Sequence, residues 1–316
     1  MSFAATVPAG RAFPYSSSML SVVVAPWAGE AEPVFVHNPD ELHDAASTMK
    51  IAVLAALTRS GANLDAEVPV VNRFESVVGG DFGNDPDWDS DPLPWELLGT
   101  HVPLRLLAER MITHSSNLAT NLCLARTTPR AVADVWRDAG ATRSASPRGI
   151  EDYAAREAGI HNLVTARDLV RLLHSLAGEP ELLDLLERND FRVDLAAGLP
   201  PSTRIAFKNG WVPGARHSVG LIQPLDCPPY LLAVCYTGPL ATGADRNDPA
   251  GRLLARISAA VWARRRDIGR AFDGDIGGEF NGEFKGEFKG EFKSKFEGDF
   301  NGRGPSALRA PFRSAG

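Results

Sequence analysis

Apolar and polar positions change rhythm twice along this chain. Residues 19–25 (MLSVVVA) and 33–37 (PVFVH) are short β-prone runs on either side of the turn-like WAGEAE, and together they predict a hairpin. The run that starts at Ser47 carries Ile51, Leu54, Ala55 and Leu57 at helical spacing. From about 95 to 200 a three-to-four periodicity dominates, predicting helices over 102–112, 117–126, 129–140 and 165–178. Gly140 and Gly178 supply stops for the last two. After Pro200 strand-like runs return at 203–210, 217–225 and 230–238, and 249–266 reads as a closing amphipathic helix.

Strands, a helical block, strands and a helix predict an α/β (α+β) fold: an antiparallel sheet of about five strands, flanked by helices. The sheet would draw on about 15–46 and 201–268, with an all-helical subdomain of about 47–200 inserted, in one catalytic domain of 1–272. A crevice is expected at the seam of the two parts. Residues 277–302 differ in kind, repeating Gly, an acid and Phe, with Phe280, Phe284, Phe288, Phe292, Phe296 and Phe300 in register. The recurring Gly opposes helix by about 1 kcal/mol each, so 273–316 reads as a low-complexity flexible appendage, with a partner-binding segment of unknown partner as the alternative.

Composition narrows the classes. Hydrophobic content of 44% and charged content of 23% fit a soluble globular protein, and a net charge of -6 argues against nucleic acid as a partner. The first 30 residues lack a basic start followed by an unbroken apolar stretch, and no stretch approaches a membrane span, so a cytoplasmic protein without a membrane partner is expected. Cys123, Cys227 and Cys235 have no Cys-x-x-Cys spacing, which argues against zinc and dithiol chemistry; free thiols are favoured over a Cys227–Cys235 bridge. In the loop 84–96, Asp85, Asp87, Asp89, Asp91 and Glu96 fall at calcium-loop positions. Ser90 stands where the turn wants Gly and Pro92 and Pro94 stiffen the rest, so the loop reads as an acidic surface. His43, His101, His114, His161 and His217 show no ligand spacing, and neither metal nor cofactor is expected.

Three short stretches carry chemistry. In ASTMK, Lys50 lies one turn after Ser47 and can reach its hydroxyl; a serine attacks a carbonyl only when a neighbour takes its proton and donors receive the oxyanion. Burial or a nearby cation lowers a lysine pKa enough for that task. Ser115-Ser116-Asn117 lies between helical runs, and Lys208-Asn209-Gly210-Trp211 ends a strand. Ser115 could relay a proton to a leaving group, Asn117 hold a substrate amide, and Lys208 bind a carboxylate. Gly210 permits close approach, so that the Trp211 and Ser47 N–H groups could form an oxyanion hole.

Ser-x-x-Lys, Ser-x-Asn and Lys-x-Gly in this order resemble the active-site signature of class A β-lactamases and penicillin-binding proteins, over roughly residues 15–268. The resemblance implies acyl transfer through Ser47, with Lys50 as base or proton shuttle, Ser115 as second shuttle, Asn117 on the substrate amide and Lys208 as carboxylate anchor. Arg216 falls near the place of a carboxylate-binding arginine. The implied substrate is a small-molecule amide, ester or β-lactam.

Several positions depart from the pattern. Ser116 replaces the Asp of the middle motif, Asn209 replaces a hydroxyl residue, and bulky Trp211 would restrict the pocket. The family's deacylating glutamate is followed four residues on by an asparagine. Here Glu151 is followed by Ala155 and Glu157 by His161, so neither fits the spacing. Three readings remain: a β-lactamase-type hydrolase, an intracellular D,D-peptidase or esterase with poor β-lactam turnover, and a sensor that stays acylated.

Overall fold

Five strands form the one large sheet: β1 (Met19–Pro26), β2 (Phe35–His37), β3 (Arg204–Val212), β4 (Ala215–Gln223) and β5 (Tyr230–Thr237). They belong to a computed structural model that describes residues 18–243 and 245–270. The order is β2-β1-β5-β4-β3, antiparallel throughout, with Val22 opposite Val234 and Lys208 opposite Val219. Strands β1 and β5 read as nearly unbroken apolar runs because both faces of the sheet are covered there; all of Leu20–Pro26 and of Tyr230–Thr237 is buried. Helices α6 (Ala166–His174) and α8 (Pro249–Ala263) both pack on β4 and β5.

The helical part is built around α1 (Lys50–Arg59), on which Ile51, Ala52, Val53, Leu54, Ala55, Ala56 and Leu57 are each no more than 1% exposed. A helix apolar on every side belongs at the centre of a core. Helices α2 (Leu104–Thr113), α3 (Asn117–Leu124) and α4 (Pro129–Asp138) surround it, each large side chain contributing about 2 kcal/mol by burial. The expected inserted helical block is thus present, followed by α5 (Tyr153–Glu157), α6 and α7 (Pro180–Glu187).

Some boundaries differ from expectation. Ser47 does not open an α-helix: Ala46–Met49 is a 3-10 turn, and α1 begins at Lys50. Gly140 does end its helix, in the left-handed region at φ 74°. Gly178 ends nothing, because α6 stops at His174 and tight turns occupy the next residues. Helix α7 lies in a stretch without a predicted element, its start marked by Pro180 at the first position. The closing helix breaks at Arg264 and resumes as Arg265–Arg270.

Cys123, Cys227 and Cys235 are free thiols, so the alternative Cys227–Cys235 bridge is absent. Among the described residues no helix is long and apolar enough to cross a membrane. The Phe-rich repeat lies outside the described residues.

Candidate active site

Ser47 sits in the turn between the sheet and α1, half-buried, preceded by Ala46 in the left-handed region at φ 43°. Edge strand β3 runs against this turn so closely that a Cβ on Gly210 would lie 2.4 Å from the Ser47 amide nitrogen. Only glycine allows that approach. Among the described residues, four of the six non-glycine positions with positive φ fall at this centre: Ala46, Ser115, Glu151 and Asp194, the others being Ala31 and Asn38. Such conformations cost about 1–3 kcal/mol each and cluster where geometry is needed for function.

The Lys50 ammonium group is fully buried and surrounded by acceptors: the Ser115 carbonyl at 2.5 Å, the Asn117 Oδ1 at 3.0 Å, the Ser115 hydroxyl at 3.3 Å and the Ser116 carbonyl at 3.4 Å. Burial lowers its pKa to about 8, opposed by the charges of Asp89 and Glu151. Lys208, from β3, donates to the Ser115 hydroxyl at 3.0 Å and to the Asn209 carbonyl at 3.0 Å. Its pKa is held well below the usual lysine value, by burial first and by Lys50 second. Ser115 Oγ therefore lies between two lysine nitrogens. No hydrogen bond joins the Ser47 hydroxyl to Lys50 or to another described residue; such bonds often tighten only when substrate is bound.

Ser116 caps α3, accepting from the Ala119 amide at 3.1 Å. The charge missing from the middle motif comes from the acidic loop. Asp89 Oδ2 accepts from the Ser116 hydroxyl at 3.0 Å, the Asn117 amide at 3.0 Å, the Leu118 amide at 2.9 Å and the Trp95 indole at 3.0 Å. A carboxylate at a helix start satisfies orphan amides and complements the dipole. Its neighbours have structural partners as well: Asp91 pairs with Arg110, and Asp85 caps the Pro86–Trp88 turn.

The two candidate glutamates part company. Glu157 is exposed at the end of α5. Glu151, at φ 65°, is brought to the centre. Its Oε1 accepts from Asn84 at 3.0 Å and from Asn117 at 3.1 Å, and its Oε2 accepts from the Asp85 amide at 2.8 Å. Burial raises its pKa, and the hydrogen bonds oppose that rise. Asn121 pins the preceding backbone, donating to the Ile150 carbonyl at 2.8 Å and accepting from the Ile150 amide at 2.9 Å. Asn84, Asp89 and Asn121 escape sequence reasoning. Asn121 stands one helical turn after Asn117, and that spacing is the signal that could have found it.

Arg216, expected near a substrate carboxylate, and Asn209 and Trp211, expected to line the substrate site, are engaged internally. Arg216 is fully buried, its guanidinium bonded to Asp194 at 2.6 Å, Asp248 at 3.0 Å, the Asp245 carbonyl at 3.1 Å and the Arg246 carbonyl. Asn209 is also fully buried, donating to the Phe191 carbonyl at 3.0 Å. Trp211 lies over the Arg216 guanidinium at 5.0 Å and edge-on to Phe191 at 5.6 Å. His114 pairs with Asp190 at 2.9 Å at the rim, and His217 packs against His43 behind the site, 5.3 Å between ring centroids.

Comparison with known proteins gives the fold and these residues a family. Residues 14–264 match the model of the beta-lactamase enzyme family, to which the chain therefore belongs. No curated protein sequence matches it. Among solved structures, PBP-A is 19% identical, with a TM-score of 0.62, over 80% of this chain and 93% of that one. The L2 structure complexed with relebactam is 22% identical (TM-score 0.63; 78% of this chain, 92% of that chain). The class A beta-lactamase of the last common ancestor of Gram-negative bacteria is 24% identical (TM-score 0.63; 79% and 95%). These likenesses establish the fold.

Proposed function

We propose that the protein hydrolyses an amide or ester through an acyl-serine on Ser47, with the β-lactam ring as the family's default substrate. The observation that carries the reading is the Ser115 hydroxyl held between Lys50 and Lys208, beside a serine turn that Gly210 approaches. A hydroxyl has two acceptor positions. With Lys208 donating to it, and Lys50 as well once it carries the Ser47 proton, the Ser115 proton is directed away from both lysines, toward a leaving group.

In the acylation step Ser47 Oγ bonds to the carbonyl carbon and its proton passes to Lys50. As a neutral amine Lys50 keeps two N–H donors, enough for the Ser115 carbonyl and Asn117, and one lone pair for the serine. The Ser47 amide, at the start of a helical turn, is one oxyanion donor. Counting from the two-residue turn Pro213–Gly214, strand alternation turns the Trp211 amide to the open side of β3, where it is the second. The carbonyl–heteroatom bond then breaks, Ser115 passes its proton to the departing atom, and Lys50 returns the proton taken from Ser47 to Ser115, becoming a neutral amine again.

Deacylation needs a water activated by a base. A carboxylate offers about four acceptor positions, and three of those on Glu151 are filled, by Asn84, Asn117 and the Asp85 amide. The remaining one is available to water, and a raised pKa makes the group a better base. This supports turnover over a sensor that stays acylated. Intact mass spectrometry after brief exposure to benzylpenicillin and to phenyl acetate tests the reading. An acyl adduct or turnover that disappears in Ser47→Ala is expected; inertness toward both compounds would remove it.

A further inference from the structure

We propose that the acyl donor of this site carries no carboxylate beside its scissile bond, because a carboxylate of the protein itself, Asp194, already occupies the cation that would receive one. The inference rests on the acyl-serine reading and concerns the leaving-group side of the same cleft. The favoured substrates are esters or amides that are uncharged there, so benzylpenicillin, whose carboxylate lies beside the lactam nitrogen, should acylate Ser47 more slowly than a lactam or ester without one.

The observations come from separate residues. Arg216 is a single buried cation that faces two buried carboxylates, Asp194 at 2.6 Å and Asp248 at 3.0 Å. Two backbone carbonyls, of Asp245 and Arg246, complete its shell. Burial pushes the Asp194 carboxyl up to about 6 even with Arg216 beside it, and the charge of Asp248 adds to the rise. A third carboxylate would meet like charge rather than a free guanidinium.

The routes around Arg216 are closed as well. The indole of Trp211 lies over the guanidinium, and Phe191 packs against the indole. Asn209 has its amide donor turned to the Phe191 carbonyl, where a hydroxyl residue would have presented an O–H. Lys208 is fully buried and spends its donors on Ser115 and Asn209, with burial and Lys50 both disfavouring its charged form. On the helical side of the cleft stands Glu151, with exposed Asp85 and Asp87 beyond it. Arg246 is exposed, and its guanidinium rests on the Phe191 ring at 4.4 Å.

The test uses two thioesters of phenylacetic acid with the full-length protein: one of thioglycolic acid, and the methyl ester of that same molecule. In each, Ser47 Oγ bonds to the acyl carbon, the C–S bond breaks, the thiol leaves with the proton relayed by Ser115, and water later releases phenylacetate. The uncharged methyl ester is expected to show a kcat/KM at least about ten-fold above the free acid, the equivalent of about 1.4 kcal/mol. Added salt should narrow that gap by screening the rim carboxylates. Equal rates, a preference for the acid, or no reaction with the methyl ester would overturn the proposal. A preference for the acid that vanishes in Arg246→Ala would assign the anion anchor to Arg246 instead. A neutral alkyl fluorophosphonate separates this failure from failure of the acyl-serine reading. Labelling of Ser47 keeps that reading whichever thioester is preferred, whereas an unlabelled Ser47 overturns both.

Discussion

The side-chain amide of Asn117 donates to Oε1 of Glu151 at 3.1 Å while its oxygen accepts from Lys50 at 3.0 Å. One residue thus ties the proton acceptor proposed for acylation to the base proposed for deacylation. If the two steps divide in that way, Glu151→Gln should leave acylation within a few-fold and slow deacylation by about 10²–10⁴-fold, the range for loss of a general base. A long-lived adduct seen by intact mass in this variant, beside rapid turnover in the wild type, is the expected outcome. Glu157→Gln, altering an exposed group, should behave as the wild type.

Lys50 sets the pH dependence of the first step. Its pKa is lowered to about 8 by burial, and it accepts the Ser47 proton only when neutral. The acylation rate should therefore rise with pH and level off above about 8. A stopped-flow profile of adduct formation checks this. A rate already at its plateau at pH 6 would mean that another group takes the proton.

How far the sequence reaches depends on the range of each interaction. That Lys50, Ser115, Asn117 and Lys208 meet in one cluster is foreseeable because each motif fixes its own local geometry and the order of the motifs does the rest. Which of Glu151 and Glu157 stands beside this cluster is not readable. That placement is made by Asn84, Asn117 and Asn121, which meet the 150–151 segment only in three dimensions. The internal ion pairs of Arg216 are hidden for the same reason, since Asp194 and Asp248 lie 22 and 32 positions away along the chain and nothing local announces the pairing. The five-stranded sheet is legible because β1 and β5 are long apolar runs and β3 and β4 each hold an apolar stretch beside their polar residues; α7 is short and adjoins a turn, so its periodicity escapes notice.

Arg216 and Asp194 also make a stability prediction. Asp194→Ala leaves a buried guanidinium short of one charged partner, a change that typically costs about 3–5 kcal/mol. Urea denaturation of the variant should show a correspondingly lower midpoint with an unchanged slope. A loss below 1 kcal/mol would mean that Asp248 and the carbonyls suffice for Arg216.

His43 and His217 make the fold sensitive to acid. Burial lowers the pKa of His217 to about 4, and burial together with His217 lowers that of His43 well below its usual value. Both titrate near 6.5 when unfolded, so the unfolded chain binds more protons below that pH. Stability is present above about 6.5 and is lost as pH falls toward 4, at about 1.4 kcal/mol for each unit of depression. Asp194, raised to about 6, acts with the opposite sign, so the comparison is between proteins that both contain it. The fall in stability from pH 7 to pH 4.5 should be smaller in His217→Asn than in the wild type. Equal slopes would show that His217 carries no such shift.

The last prediction concerns the middle motif, where Ser116 stands in place of an acid and Asp89 supplies one from another loop. The Ser116 hydroxyl donates to Asp89 at 3.0 Å, and the Asn117 and Leu118 amides share the same oxygen. Restoring the acid by Ser116→Asp would set two carboxylates against each other at a fully buried position, so it should destabilise the fold and disturb Asn117 and Lys50 with it. Asp89→Asn alone should lose a charged helix cap, about 1 kcal/mol. The double variant Ser116→Asp/Asp89→Asn should recover most of the loss of Ser116→Asp, because one carboxylate again faces the start of α3. Thermal denaturation of the four proteins forms a double-mutant cycle. A coupling energy near zero would mean that the two positions do not substitute for each other, and that Asp89 serves the loop alone.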